Sequence, residues 1–416
     1  MPPGSHNLNF LEENILMITV NQAKDLIYSH SHPLPPRRLP LVQAGGKVLA
    51  EDAFSKGDFP PFLQSSMDGY AFRMEDLALQ KPLRVEGEMA AGVKAPRILA
   101  PGTAARIFTG APLPEGADTV VMQEKCQIEE GKGNDRFVTI EDTEIHLGMN
   151  TRPKGAEIKS GEKALPKGIL LTPAALGYLA GIGISEVEVI PHPRITLIIT
   201  GSELQQPGRP LEFGQVYESN SLTLAAALKE FHFEELMIRS TGDDLEAVTR
   251  ELSEALEQSD LVMLSGGISV GSYDYVLEAT RRTGVSQWFH KVKQRPGKPL
   301  FFGGKGSTLI FGLPGNPSSV LTCFYEYVLP ALGGLTQNPL SLEVRRVPLL
   351  KAFSKKARLT HFLKGVYDGR TVEVLGAQES FRLSSYARAG CLVRIEEETM
   401  EVPQGSEVEI HLLPRY

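Results

Sequence analysis

Val20, Ala23, Leu26 and Ile27 recur at the three- and four-residue spacing of an amphipathic helix, so 19–30 is predicted helical, with a proline-rich extended stretch following through Pro40. Residues 55–150 hold short β-branched runs broken by glycine and proline, such as Ala105-Arg-Ile-Phe and Thr119-Val-Val-Met, and read as a β-rich lobe. The segment from Leu171 to Ile184 turns helical again, with Pro173 suited to the first turn.

From Arg194 the texture changes. Ile195-Thr-Leu-Ile-Ile-Thr, Leu261-Val-Met-Leu and Thr308-Leu-Ile-Phe are short apolar runs of the kind buried on both faces of a parallel sheet. Helical segments alternate with them at 222–231, 245–257, 275–282 and 317–332, which predicts a doubly wound α/β domain. Beyond Pro339 come short strands again, among them Leu363-Lys-Gly-Val-Tyr, Thr371-Val-Glu-Val-Leu and Cys391-Leu-Val-Arg-Ile, which predict a small β-barrel or sandwich. The expected division is a discontinuous N-terminal domain (17–54 and 150–192), a β-rich lobe inserted in it (55–149), the α/β domain (193–338) and a C-terminal β-barrel domain (339–416).

Composition narrows the class. With 416 residues, 42% hydrophobic and 22% charged, the chain is a multidomain globular protein, and its net charge of −7 argues against a general nucleic-acid partner. No apolar run reaches the roughly 20 residues of a membrane span, and the start lacks the order of a secretory signal. Cys126, Cys323 and Cys391 lie far apart without a CxxC pair, which fits a reducing cytoplasm and excludes a disulfide framework or a zinc knuckle.

Three of the α/β runs end in glycine-containing loops: Thr200-Gly-Ser-Glu-Leu, Ser265-Gly-Gly-Ile-Ser-Val-Gly and Gly312-Leu-Pro-Gly-Asn-Pro. Ligands of open parallel sheets bind beyond the carboxyl ends of the strands, and glycine lets backbone amides approach a phosphate. The third loop enters a helix with Asn316 at the N-cap and Pro317 at the first position, an arrangement that offers free N–H groups to an anion or, equally, only shapes a turn. Upstream, Lys291-Val-Lys-Gln-Arg-Pro-Gly-Lys-Pro puts four cations in eight residues. Lys291 reads as a solvated face, whereas Arg295 and Lys298 flank a Pro-Gly turn and read as partners of a phosphate or oxyanion. Asp274 is either a Mg2+ ligand or the cap of the helix that begins near Tyr275. In the β-rich part, Phe62-Leu-Gln-Ser-Ser-Met-Asp-Gly-Tyr-Ala, with Asp68-Gly69 as a turn signal, and Thr109-Gly-Ala-Pro-Leu-Pro-Glu-Gly-Ala-Asp read from their residues alone as structural turns.

Taken in order, Ser66-Met-Asp-Gly-Tyr-Ala, Thr109-Gly-Ala-Pro-Leu-Pro-Glu-Gly-Ala-Asp, Ser265-Gly-Gly-Ile-Ser-Val-Gly, Arg295-Pro-Gly-Lys-Pro and Leu313-Pro-Gly-Asn-Pro resemble the molybdopterin molybdotransferase (MoeA / gephyrin E-domain) family from about Ile18 to the C-terminus. The resemblance implies an L-shaped, four-domain homodimer in which the α/β domain faces the partner's 66–70 loop. It also implies Mg2+-dependent insertion of molybdate into adenylylated molybdopterin with release of AMP. Carried over residue by residue, Asp274, Lys298, Arg295, Glu203 and Thr109 are the expected catalytic positions. Ser66, Asp68, Arg152, Ser202, Gly266, Gly267, Ser269, Pro314, Gly315, Asn316, Pro317, Ser384 and Ser385 are the expected substrate-binding ones, and Asp274, Glu203 and Glu157 the metal ligands. Other cofactor-biosynthesis proteins are expected partners; nucleic acid and membrane are not.

The chain departs from the family pattern on its acidic side. Leu63 and Ala175 stand where the family has acids, Ser202 where it has Asp, Glu157 where it has Asp, and Arg295 where it has Lys. Leu63 and Ala175 remove charge and oxygen ligands altogether, whereas Glu157 and Arg295 keep their charge. The expectation is therefore a transferase, with a divergent paralogue that binds molybdopterin phosphate or a protein partner without efficient metal insertion as the alternative. A nicotinamide-nucleotide-processing enzyme fits less well, because the 66–70 and 109–118 motifs lie outside the α/β module.

Overall fold

The computed structural model describes residues 17–266 and 275–414. The chain forms two compact units, one made of Arg38–Gly45 with Leu49–Glu188 and the other of the remaining described residues.

The first unit is built on a six-stranded sheet in the order Thr119–Met122, Gly69–Phe72, Thr103–Ile107, Leu83–Met89, Arg136–Ile140, Cys126–Glu130. Phe72, Ala104, Ala105, Ile107, Val120 and Val121 are fully buried in it. The Asp68-Gly69 pair is not the expected two-residue turn. Gly69 opens a strand, and an added Cβ there would lie 1.8 Å from the Val121 carbonyl oxygen, so the glycine serves close strand approach instead. The helix Pro173–Gly181 starts as expected, with Thr172 accepting from the Ala175 amide at 3.3 Å.

In the second unit the order of the main sheet is Leu236–Thr241, Ile195–Thr200, Leu261–Ser265, Thr308–Leu313, Pro299–Lys305, Ser286–Lys291. The first four strands are parallel, Pro299–Lys305 runs opposite to them, and Ser286–Lys291 pairs antiparallel with Pro299–Lys305. Only Gly306 and Ser307 join Pro299–Lys305 to Thr308–Leu313, and a two-residue link can close only an antiparallel pair. Ile198, Val262, Leu264 and Ile310 face Val248, Leu252, Val276 and Ala279 of the helices Leu245–Gln258 and Tyr275–Arg282 in one core. The alternation of side chains turns Leu197, Met263 and Phe311 to the other face, where the helices Asn220–Glu230 and Pro317–Cys323 pack.

The helix that begins at Pro317 does not run evenly to residue 332. It widens into a π turn over Phe324–Val328 and resumes as Leu329–Thr336. Pro330 has no N–H to give the Glu326 carbonyl, which accounts for the shift of register at that point.

The C-terminal strands follow the path Gln294–Arg295, Thr360–Tyr367, Cys391–Ile395, Glu407–Leu412, Glu343–Pro348, with Val372–Val374 alongside Thr360–Tyr367. Val347, Leu363, Val393, Val408 and Ile410 form their core. The helix Val20–His30, closed at its start by a Thr19/Gln22 capping box, belongs to the same unit.

Candidate functional site

The four parallel strands end side by side. Thr200 pairs with Thr241, Ile199 with Ser265, and Ser265 with Leu313, so the loops that follow gather along one edge of the sheet. Gly266 has φ +96°, and a Cβ on it would lie 2.0 Å from the Thr200 carbonyl oxygen; only glycine fits. Asn220, at the start of its helix, donates through Nδ2 to Ser265 Oγ at 3.1 Å and to the Gly315 carbonyl at 2.8 Å, joining two of the loops. Asn220 Oδ1 and Thr200 Oγ1 are buried without a hydrogen-bond partner among the described residues. Such groups are expected where a ligand or water completes the site.

On the loop after Thr200, Ser202 and Asp243 hold each other. The Ser202 amide donates to Asp243 Oδ2 at 3.2 Å, and the Asp243 amide donates to Ser202 Oγ at 3.1 Å. A carboxylate thus stands beside the position where Ser202 lacks one. Glu203 is exposed on the same loop.

The Arg295–Lys298 turn is held from beneath. Gln294, fully buried, donates to the Gly297 carbonyl at 2.9 Å and accepts from the Tyr327 hydroxyl. Gly297 has φ +84°, and a Cβ there would meet Cys323 Sγ at 2.5 Å. Burial raises the Cys323 thiol pKa, so it packs as a neutral group. Arg295 is exposed and Lys298 half-buried. Arg295 pairs in parallel register with His361, whose pKa is pushed down to about 4 by burial and by the Lys355 and Arg295 cations.

The loop Pro314-Gly315-Asn316 leads into the helix at Pro317, with Asn316 at the N-cap. Its side chain makes no cap bond and instead donates to Ser380 Oγ at 3.0 Å. The expected free N–H groups of the helix start are also used: Ser318 N–H donates to the Ser380 carbonyl at 3.1 Å, and Ser319 and Val320 donate to the Asn316 carbonyl. Proline supplies none. Among the described residues the amides of Gly315 and Asn316 have no acceptor, so an anion at this helix start would meet the loop rather than the first turn.

Ser380 is fixed in turn by Lys364. This buried ammonium donates to the carbonyls of Ala377 at 3.0 Å, Glu379 at 3.4 Å and Arg382 at 3.1 Å, and Gln378 closes the same loop onto the Lys364 backbone. Ser385, expected to line the site, is buried with its hydroxyl on the Ala377 carbonyl at 2.8 Å, because the loop needs that donor. Ser384 is exposed.

The other unit carries Ser66, Asp68, Thr109, Arg152 and Glu157. Asp68 Oδ1 accepts from the Thr109 amide at 2.7 Å and its hydroxyl at 2.8 Å, and these two bonds hold the carboxyl below its ordinary range. The Ser66 amide donates to the Asn150 carbonyl at 3.0 Å, and Arg152 pairs through its backbone with Gln64. Glu157 is exposed. Ala175 occupies the third helical position after Thr172, where an acid would have completed a capping box, and Leu63 is half-buried.

Gly267, Ser269 and Asp274 lie outside the described residues. Among the described ones, no three His, Cys, Asp or Glu side chains group closely enough to hold a metal by themselves. Sequence reasoning missed Asn220, Asp243, Gln294, Lys364 and Ser380. Only Asp243 left a readable signal, as one of two adjacent acids following a strand.

Three family descriptions match consecutive parts of the chain: the MoeA N-terminal region (domain I and II) at residues 18–183, a probable molybdopterin binding domain at 196–334, and the MoeA C-terminal region (domain IV) at 346–413. The chain is 34% identical to a molybdopterin molybdenumtransferase of Haemophilus influenzae, over 95% of this chain and 100% of that protein. It is 33% identical to molybdopterin molybdenumtransferase 2 of Mycobacterium tuberculosis, over 95% and 99%. Among solved structures, a molybdopterin biosynthesis MoeA protein from Pyrococcus horikoshii superposes with a TM-score of 0.79 at 28% identity, covering 96% of this chain and all of that one.

Proposed function

The chain belongs to the MoeA family, and from that membership we propose that it is a molybdopterin molybdenumtransferase that inserts molybdate into adenylylated molybdopterin with release of AMP. The observation that carries the reading is the convergence of the Gly201, Gly266 and Gly315 loops at the carboxyl ends of parallel strands, with Lys298 and Arg295 on a rigidly supported turn in the same unit. Loop amides and these cations together suit a phosphoanhydride and an oxyanion.

On this reading the amides of Gly315 and Asn316 hold phosphate oxygens. Lys298 and Arg295 neutralise charge that builds on phosphate and molybdate as the anhydride opens. Asn220, bridging Ser265 and Gly315, keeps two of the loops in register. Glu203 and Asp243, with Asp274, are the carboxylates to hold Mg2+. A set this sparse fits a cation that retains waters and takes oxygen ligands from phosphate. When bound, Mg2+ would offset charge on the anhydride. The Ser202–Asp243 pair favours the transferase over the binding-only paralogue, because an acid remains beside the substituted position.

The reading includes a homodimer, for which the exposed Leu211, Phe213, Val216 and Tyr217 provide an apolar surface, and a cytoplasmic setting. No helix among the described residues is long and apolar enough to cross a membrane.

The test is the purified protein with adenylylated molybdopterin, Mg2+ and molybdate, measuring AMP release and ligand binding separately. Molybdate-dependent AMP release is expected. Tight binding without AMP release would replace the transferase by the binding paralogue.

A further inference from the structure

Phe381 is 63% exposed, an unusual position for so large an apolar side chain, on a loop held by several hydrogen bonds. On one side, Ser380 holds both the Pro-Gly-Asn loop, through Asn316 Nδ2 at 3.0 Å, and the helix that follows it, through Ser318 N–H at 3.1 Å. On either side of Phe381, the carbonyls of Glu379 and Arg382 are tied to the Lys364 ammonium. The Arg382 guanidinium lies 5.5 Å from the Phe381 ring centroid and is itself braced by Glu379 at 3.1 Å. The backbone on both sides of the exposed ring is thus fixed, and Arg382 lies against the ring itself. It also stands one residue from the contact that shapes the loop whose amides are open to phosphate.

We propose that Phe381 is a stacking shelf for the flat heteroaromatic ring of the phosphate-bearing substrate. The inference rests on the reading of the Gly315–Asn316 loop as a phosphate site. A phosphate held there leaves the rest of the ligand to extend over neighbouring surface, and a rigid aromatic face meets any planar heterocycle without needing a matched hydrogen-bond pattern. Cation–π contact with Arg382 keeps the ring oriented while leaving most of it open. The ring has two possible sources in an adenylylated pterin, the adenine and the pterin, and the shared chemistry is the same.

The experiment is calorimetric titration of the full chain with AMP, 6-hydroxymethylpterin phosphate and ribose 5-phosphate, comparing wild type with Phe381→Ala and Phe381→Trp. Phe381→Ala is expected to weaken one of the two ring-bearing ligands about tenfold, the size of one base-on-aromatic stack, and to leave ribose 5-phosphate unchanged. Phe381→Trp should retain wild-type affinity. Loss for AMP names adenine as the stacked ring; loss for the pterin phosphate names the pterin. Equal affinity of wild type and Phe381→Ala for both ring ligands overturns the shelf while leaving the phosphate site standing, as does an altered oligomeric state with no change in binding. Failure of all three probes to bind wild type removes the phosphate reading and the shelf with it.

Discussion

Ser202 and Asp243 are joined by two reciprocal hydrogen bonds, each amide donating to the other residue's side-chain oxygen, at 3.2 and 3.1 Å. The pair links the ends of two neighbouring parallel strands and sets a carboxylate next to Ser202. Asp243→Asn keeps an acceptor for the Ser202 amide but removes the charge, so it should fold normally and lower AMP release or Mg2+ affinity by about 10- to 100-fold. Ser202→Asp should place two carboxylates together and raise the Mg2+ requirement for stability. Metal-dependent AMP release in the two variants, measured against Mg2+ concentration, checks both; wild-type behaviour of Asp243→Asn would remove Asp243 from the site.

Gly266→Ala should be costly for reasons local to the backbone. The residue needs φ +96°, and the new methyl would lie 2.0 Å from the Thr200 carbonyl oxygen. Strain of this kind is expected to destabilise the chain by about 2 kcal/mol or more and to spoil phosphate binding by displacing the loop. Gly208→Ala, at φ +89° but in open space, is the control. Urea unfolding of the two variants separates backbone strain, common to both, from the steric clash that only Gly266 carries.

The elements were legible wherever one segment carried its own signal. The apolar spacing of 19–30, the short apolar runs at Ile195 and Leu261, and the Thr172-Pro173 helix start each appear at their expected places. The antiparallel edge was hidden in an apolar run that periodicity cannot orient, although the Gly306-Ser307 link determines it. The π turn at 324–328 depends on a missing N–H four residues ahead of its effect. Of the candidate site, the glycine loops at the strand ends were legible and their supports were not. Asn220 meets Gly315 across 95 positions with no local sign of the contact, and Asp243, though one of two adjacent acids after a strand, meets Ser202 across 41 positions that local pattern cannot bridge. Asn316 shows the converse: its local pattern is that of a cap, and a distant serine takes the side chain instead.

Lys364 should prove structural and site-directed at once. Its ammonium satisfies three carbonyls of the loop that carries Ser380. Burial lowers its pKa, yet those acceptors favour the charged form. Lys364→Met leaves the three carbonyls without their donor and is expected to cost about 2–4 kcal/mol. Hydrogen exchange should rise across 377–382 and at Ser318, whose amide donates to the Ser380 carbonyl, with the α/β sheet unchanged. Unaltered protection at Ser318 would show that the loop holds its place without Lys364.

His411 should give the protein a stability that declines in mild alkali. The ring is buried between Glu326, at 2.5 Å from Nδ1, and Glu409, at 3.0 Å from Nε2, while Lys24 approaches the other Glu326 oxygen at 2.6 Å. Burial alone would lower the His411 pKa, but the carboxylates outweigh it and the net shift is upward. Glu326 is the mirror case: burial would raise it, and His411 and Lys24 bring it below its ordinary value. A raised histidine contributes stability that is fully present below its unfolded pKa of about 6.5 and is lost as pH rises through the folded value. The Glu326 contribution is present above its unfolded pKa of about 4.3 and is lost as pH falls through the lowered folded value. Unfolding free energy measured in urea should therefore be greatest in the mildly acidic range and fall as pH rises above the unfolded histidine value of about 6.5 and through the raised folded one. His411→Phe should lose about 3–5 kcal/mol at pH 6, the cost of removing one partner of the buried Glu326 carboxylate, and should show a much flatter alkaline limb. A variant that keeps the wild-type alkaline slope would assign that slope to a group other than His411.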